Sequence, residues 1–404
     1  MKNANSDSSI IVAGTGPAGL IAALALARKG FAISLVGPQV NQADRRTTAL
    51  MVPSLQFLDS LGVLDALEAE AAPLVKMRIV DATDRLIRAP VVTFSAAEIS
   101  EPYFGLNIGN KTLNTALDAA VRAESKIVWH ETLVEQWTLG ADRATARLAN
   151  GETLTAKLVV AADGRSSPAR EAAGISISTT RLPQSALVLN FAHSRPHGSI
   201  STEFHTRTGP FTLVPLKGDR SSLVWVVQPQ QADELMALDD ATLAARIEER
   251  MQSMLGRVSV EPGRQVYPLS NATPRRFAQN RVALVGEAAH IFPPIGAQGL
   301  NLGIRDVRDL VDIVTNNADD PGAEPKLSAF DRKRRPDIMA RTTAVTLLNR
   351  SLLSSMLPSQ FARSVGLGAL DGIAPLRAIF MREGLRPGSG FSGLFSDLRE
   401  QIRR

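Results

Sequence analysis

An α/β fold built around a parallel, Rossmann-like sheet is what this sequence predicts, and three observations predict it. Residues 9–37, SIIVAGTGPAGLIAALALARKGFAISLVG, set Gly14, Gly16 and Gly19 at G-x-G-x-x-G spacing between a short apolar run and a helical one. Two later apolar runs, LVVAADG (158–164) and RVALVGE (281–287), each end in an acid beside a glycine, at Asp163-Gly164 and Gly286-Glu287. The chain of 404 residues, 44% hydrophobic and 21% charged, exceeds what one hydrophobic core supports, so at least two packed units are expected.

Residues 10–13 suit a buried parallel strand, Pro17 and Ala18 open a helix, Gly30 closes it, and residues 32–36 form the next strand. Gly14 allows the tight turn, Gly16 lets the backbone approach a pyrophosphate, and Gly19 lets helix pack on strand, with the helix N-terminus facing the phosphate charge. Strand, glycines and helix in this order point to dinucleotide binding. The acid that should hold a ribose at the end of the second strand is missing. Gly37-Pro38 stands there, which leaves backbone, Gln39 or Asp44 to do the work.

The chain has no cysteine, which excludes disulfides, a thiolate nucleophile and Cys-ligated metal centres, and no H-E-x-x-H spacing occurs, so no metal site is expected. No run of 18 apolar residues and no leader-like start occurs, so a cytoplasmic protein is expected. The net charge of +5 is unevenly spread: residues 332–404 hold 13 Lys and Arg against 5 Asp and Glu, a net of +8, leaving −3 for the rest. These basic residues alternate with Leu, Met and Phe, which suits either a solvated face of a packing helix or an amphipathic contact with a membrane or protein, and not nucleic acid. Leu347, Leu348, Leu352, Leu353, Met356 and Leu357 have helical spacing.

The three strand ends also belong to longer motifs. Strand-GxGxxG-helix is followed by DGRSSPAR (163–170), with Ser167 and Arg170, and then by GEAAHIFPPIGAQGLNLG (286–303). In this order they resemble the FAD-dependent aromatic hydroxylases of the para-hydroxybenzoate hydroxylase fold. ADRRTTALMVPSLQFLDSLGVLDAL, GPFTLVPLKGDRSSLVWVV, YPLSNATPRRF and GAQGLNLGIRDVRDL are similar to the branch that hydroxylates ubiquinone precursors.

The resemblance implies a discontinuous FAD-binding domain (1–75, 101–180, 268–335), an antiparallel-sheet substrate domain (76–100, 181–267) and a C-terminal helical region (336–404). Strand-like runs at 75–80, 186–192, 211–215 and 222–227 would form the substrate sheet, and helices from about 337 to 385 would close the back. Gly14, Gly16, Pro17, Ala18 and Gly19 would meet the FAD pyrophosphate, and Arg46 would lie near the phosphates or ribityl chain. Asp163 would sit beside the cofactor cleft, and Gly286 with Glu287, where most relatives carry Asp, would reach the ribityl hydroxyls. Pro293, Pro294, Gly296 and Gln298 would form the catalytic flavin-face loop, and Gly299, Leu300 and Asn301 would open a helix toward the flavin's pyrimidine end.

The implied reaction is ring hydroxylation of a polyprenylated phenol through a C4a-hydroperoxyflavin, with non-covalent FAD, NAD(P)H or another donor, and molecular oxygen. Alternatives are a soluble aromatic acid as substrate, or a non-catalytic flavin-binding accessory protein. The substrate would be lipid-soluble and the basic tail a peripheral contact with the inner face of the membrane or with a biosynthetic complex, and a homo-oligomer is compatible with it. No acid–base residue is assigned. His290 is read as a packed side chain or a proton carrier, His205 as a surface strand residue or a ring neighbour, and Tyr267 as a substrate contact or a strand anchor.

Overall fold

The computed structural model describes residues 6–7, 9–41, 43–83, 89–293, 298–316, 319–353, 368 and 374–385. Its central sheet has six strands in the order Ala278–Gln279, Val282–Leu284, Leu158–Ala161, Ile10–Ala13, Ile33–Val36, Ile127–His130. All neighbours are parallel except the first pair. Ile10, Val12, Val159 and Leu284 share a core with the helix Pro17–Arg28 and the helix Gln298–Thr315, whereas Ile11 and Val36 pack against an antiparallel sheet through Ala146, Leu148, Leu154 and Ala156. Both faces are covered, which is why these strands read as unbroken apolar runs.

The register brings the motifs together. Ala161 pairs with Ala13 on one side and Leu284 on the other, Ala13 with Val36, and Val36 with His130. Five strands therefore finish flush along one edge, and the residues just beyond them share one crevice.

The second layer is an antiparallel sheet in the order Val258–Val260, Ile177–His193, Arg220–Val227, Pro210–Leu216, Ile200–His205, Lys76–Asp81, Val92–Ser95, with Gln265–Pro274 also paired to Ile177–His193 and the one parallel contact between Ile200–His205 and Lys76–Asp81. One face is an apolar core of Leu187, Phe191, Phe204, Phe211, Leu213 and Trp225 beneath the helices Pro229–Ala237 and Asp240–Arg250. Phe211 meets Phe204 and Trp225 edge-on at 5.8 and 5.1 Å. The other face presents Ala186, Val188, Val224 and Val226 beside Leu269.

The expected strand at 186–192 is the end of a seventeen-residue strand, Ile177–His193, and the strands expected at His205 and Tyr267 without bounds are Ile200–His205 and Gln265–Pro274. A small sheet of Thr47–Met51, Gly105–Gly109 and Ala72–Leu74 was missed. The helix Glu324–Leu353 runs through position 335 with Pro336 inside it. The helix Ala374–Leu385 does not lie on the back; its Ala378 and Met381 join Val92, Phe94, Ile99 and Phe104 at the far edge of the antiparallel sheet.

Part of the basic tail is paired with acids among the described residues. Arg334, 1% exposed, meets Asp306, Asp309 and Asp337 at 2.7, 3.0 and 2.9 Å. Lys333 pairs with Asp309, Arg335 with Asp331, Arg341 with Asp337 and Arg377 with Glu98. Of these five cations, Arg334, Arg341 and Arg377 reach into the body of the protein, whereas Lys333 and Arg335 keep 47% and 44% of their side chains exposed, as a solvated face requires.

Candidate functional site

The glycine turn is built on three different constraints. Gly14 has φ +108°, and a Cβ there would come within 2.2 Å of the Ala162 carbonyl oxygen. A Cβ on Gly19 would lie 2.0 Å from the Gly14 carbonyl oxygen. Both glycines serve chain packing. Gly16 differs: nothing lies within 4 Å of where its Cβ would be. Its backbone caps the helix Pro17–Arg28, so free N–H groups open onto that empty side. Ala18 lies against the third motif, with its Cβ 2.9 Å from the point a Cβ on Gly286 would occupy, and Gly286 has φ +61°.

At the second strand end, Asp163 Oδ2 accepts from the Ala169 N–H at 3.0 Å, while Oδ1 is buried without a partner. Burial raises the pKa of this carboxyl, against the hydrogen bonds from Ser167 and Ala169 that lower it. Arg170, 3% exposed, donates to the Ala288 and Arg165 carbonyls at 3.0 and 2.9 Å, clamping this strand end to the next. That clamp was not legible in sequence. Glu287 is half-exposed, and Arg165 donates from Nε and Nη2 to its two carboxylate oxygens, each at 3.2 Å.

Arg46 faces the same cleft, stacked 5.6 Å from the centre of the Tyr267 ring and within the field of Glu287. Asp44 binds it at 2.6 Å and also accepts from Asn110 at 2.9 Å, so both partners hold this carboxylate within the protein. Although burial opposes it, these bonds hold the Asp44 carboxyl below its ordinary pKa. Asn301 ties the helix Gln298–Thr315 to its surroundings: Oδ1 accepts from the Met51 N–H at 2.9 Å and Ser54 Oγ at 2.7 Å, and Nδ2 donates to the Ala49 carbonyl at 2.8 Å. Its amide therefore fixes the helix start, and cofactor contact from this position falls to backbone. Leu300 packs on the central core, and no described atom crowds the Cβ position of Gly299. Pro293 is buried; Pro294 and Gly296 lie outside the described residues, as does the Gln298 side chain.

His290 is a packed side chain, 2% exposed and 2.7 Å from Asp306. His205 is likewise not a surface residue: it is 2% exposed and bonds Glu203 at 2.8 Å.

Residues 7–345 match the family model described as FAD binding domain. The chain is 32% identical to the ubiquinone hydroxylase UbiL of Rhodospirillum rubrum, over 95% of this chain and 90% of that one. It is 31% identical to the 3-demethoxyubiquinol 3-hydroxylase of Escherichia coli, over 92% and 97%. The chain belongs to the ubiquinone-hydroxylase branch of the FAD-binding-domain family. Its fold is that of flavin monooxygenases: PqsL of Pseudomonas aeruginosa superposes with a TM-score of 0.76 at 21% identity, covering 90% of this chain and all of that one. The p-nitrophenol 4-monooxygenase PnpA of Pseudomonas putida does so at 0.75 and 20%, covering 96% and 98%.

This hydroxylase is an FAD-dependent aromatic-ring monooxygenase that uses oxygen and an electron donor, NAD(P)H being the standard one for its enzyme class. Its cleft fits the cofactor on two counts: the open side of Gly16 offers unobstructed backbone to a pyrophosphate, and the orphaned Asp163 Oδ1 is an acceptor waiting for a donor. Among the described residues no cluster suited to a metal ion is found, and no helix is long and apolar enough to cross a membrane.

Proposed function

We propose that this hydroxylase acts on the aromatic ring of a polyprenylated phenol in ubiquinone biosynthesis. The observation that carries the reading is similarity along nearly the whole chain to relatives named for ubiquinone hydroxylation. The site agrees with it. Beside the cleft, Thr47 Oγ1 donates to Ser222 Oγ at 2.9 Å, and the strand face running on from Ser222 is apolar, with Val188, Val224, Val226 and Leu269. The guanidinium next to Tyr267, which would suit a substrate carboxylate, already has Asp44 as its counter-ion.

Bound FAD supplies two-electron transfer from the nicotinamide and activation of oxygen for hydroxyl transfer. This chain supplies the rest. Gly16 and the N–H groups at the start of Pro17–Arg28 hold the pyrophosphate, Asp163 and Arg46 lie at the cleft, and Asn301 sets the helix that faces the flavin. The apolar sheet face orients the ring and excludes water, which protects the reaction from wasteful release of hydrogen peroxide.

A lipid substrate has to be met at a bilayer or received from a partner, and we propose reversible, peripheral contact through the basic C-terminal region. Among the basic residues of this region, Arg377 is held by Glu98 at 2.7 Å and covers Phe94 at 5.2 Å, so it serves the docking of its own helix. Arg386 and the leucine-rich stretch after 353 lie outside the described residues. The reading as a whole is tested by supplying purified enzyme with NAD(P)H, oxygen and a prenylated phenol in detergent. A product one oxygen atom heavier supports it; turnover only on soluble aromatic acids overturns it.

A further inference from the structure

We infer that Gln39 and Glu131 together hold the ribose of the FAD adenosine, in place of the acid missing at the end of the second strand. The inference rests on the flavin assignment above. Val36 and His130 are register partners on adjacent parallel strands, so Gly37 and Glu131 leave the sheet side by side, about 4.8 Å apart. Backbone bonds knit the two exits together: the Gly37 N–H donates to the His130 carbonyl at 3.2 Å, and Trp129 Nε1 donates to the Gly37 carbonyl at 3.0 Å.

An acid cannot stand at 37 in this chain. A Cβ there would lie 2.7 Å from Thr15 Cγ2 and 2.8 Å from Thr15 Oγ1. Thr15, the middle residue of Gly14-Thr15-Gly16, is buried and anchored by a 2.7 Å bond from its hydroxyl to the Pro38 carbonyl, so it does not yield the space. A carboxylate stands one strand over, just beyond the register partner of Val36. Glu131 Oε2 accepts from Gln39 Nε2 at 2.8 Å, and Oε1 accepts from Arg122 Nη2 at 2.9 Å. Arg122 is itself seated over the Trp129 ring at 4.5 Å.

Both side chains are exposed at the carboxyl edge of the sheet, on the same side as the glycine turn. Each Glu131 oxygen keeps a second lone pair, and Gln39 Oε1 is a further acceptor. Two vicinal ribose hydroxyls need two such acceptors. The alternative acid, Asp44, is occupied by Arg46 and Asn110.

The test compares FAD with FMN, which lacks the adenosine. Dissociation constants are measured by flavin fluorescence on deflavinated wild type, Glu131→Ala and Gln39→Ala, with thermal melts as a check on folding. FAD binding weakened about tenfold or more in Glu131→Ala and less in Gln39→Ala, with FMN binding unchanged, supports the inference. Unchanged FAD affinity, or equal loss for FAD and FMN, overturns it. Wild type that takes up neither flavin overturns it together with the flavin assignment. Gln39→Ala alters an exposed amide only, so it gives the same readout if Glu131→Ala does not fold.

Discussion

Asp306 Oδ2 lies 2.7 Å from His290 Nε2, and both side chains are sealed from solvent. The same oxygen accepts from the Gly286 N–H at 3.1 Å, and the other carboxylate oxygen accepts from Arg334 Nε at 2.7 Å. One carboxylate therefore joins the third strand end, the root of the flavin-face loop and the long C-terminal helix. Asp306→Asn leaves Arg334 and His290 facing a neutral amide, and a loss of about 3–5 kcal/mol in denaturant unfolding is expected. A midpoint shift no larger than that of an exposed control variant contradicts the anchoring role.

Acid should undo this network at a defined place. Burial opposes ionisation of Asp337, but Arg305, Arg334 and Arg341 outweigh it and hold its pKa at about 2 against an ordinary 3.8. The folded value is depressed, so the stabilisation is fully present above about pH 4 and is lost as pH falls toward 2, amounting to about 2 kcal/mol. Asp337→Asn should lower stability at neutral pH and flatten the acid limb of the stability curve. A wild-type limb with no such slope between pH 4 and 2 refutes it.

The three motif glycines should separate by phenotype. Gly16→Val places its side chain where no protein atom stands, so the fold should survive while the purified protein loses its yellow colour. Gly19→Ala drives a methyl into the Gly14 carbonyl, so it should lower the melting temperature of the apoprotein as well. Full FAD occupancy in Gly16→Val, by absorbance per chain, is the result that counts against the placement.

Asn301→Ala removes three bonds that fix the helix start and leaves the Met51 N–H and Ala49 carbonyl unpaired, at a cost of about 1–3 kcal/mol. FAD should remain bound, but a looser flavin face should divert reducing equivalents. Hydrogen peroxide formed per NAD(P)H consumed is the measurement, and unaltered coupling would show that Asn301 serves stability alone.

Membrane contact through the C-terminal region predicts salt-sensitive co-sedimentation with anionic vesicles, each engaged cation contributing about 1 kcal/mol. Arg382→Gln with Arg386→Gln should weaken it, whereas Arg377 is left intact because its loss would disturb helix docking. Equal recovery in the supernatant with anionic and neutral lipid, at low and high salt, removes the membrane route.

The parallel sheet was legible because its strands, buried on both faces, are unbroken apolar runs that end in glycine, as at 10–13, 158–161 and 282–284. The strand Ile200–His205 was legible only at His205 and its bounds were not, because Ser201, Glu203 and His205 dilute the apolar pattern and one partner lies far along the chain at Lys76–Asp81. The glycine roles could be read from spacing alone. Arg170, Asn301 and Glu131 acquire theirs from tertiary neighbours 118, 250 and 92 residues away, and no local pattern encodes those meetings. Nor does net charge by segment reveal that Arg334 meets Asp306 inside the fold.

The buried meeting of Asp306 with Arg334 also ties the central sheet to a helix far along the chain. The sheet joins segments from position 10 to position 284, and Asp306, which accepts from the Gly286 N–H just beyond its third strand end, finds its guanidinium only in the helix Glu324–Leu353. A chain cut before residue 334 leaves that buried carboxyl with His290 but without Arg334, and it is expected to hold the strand Val282–Leu284, and with it the cofactor crevice, less firmly than the whole chain does.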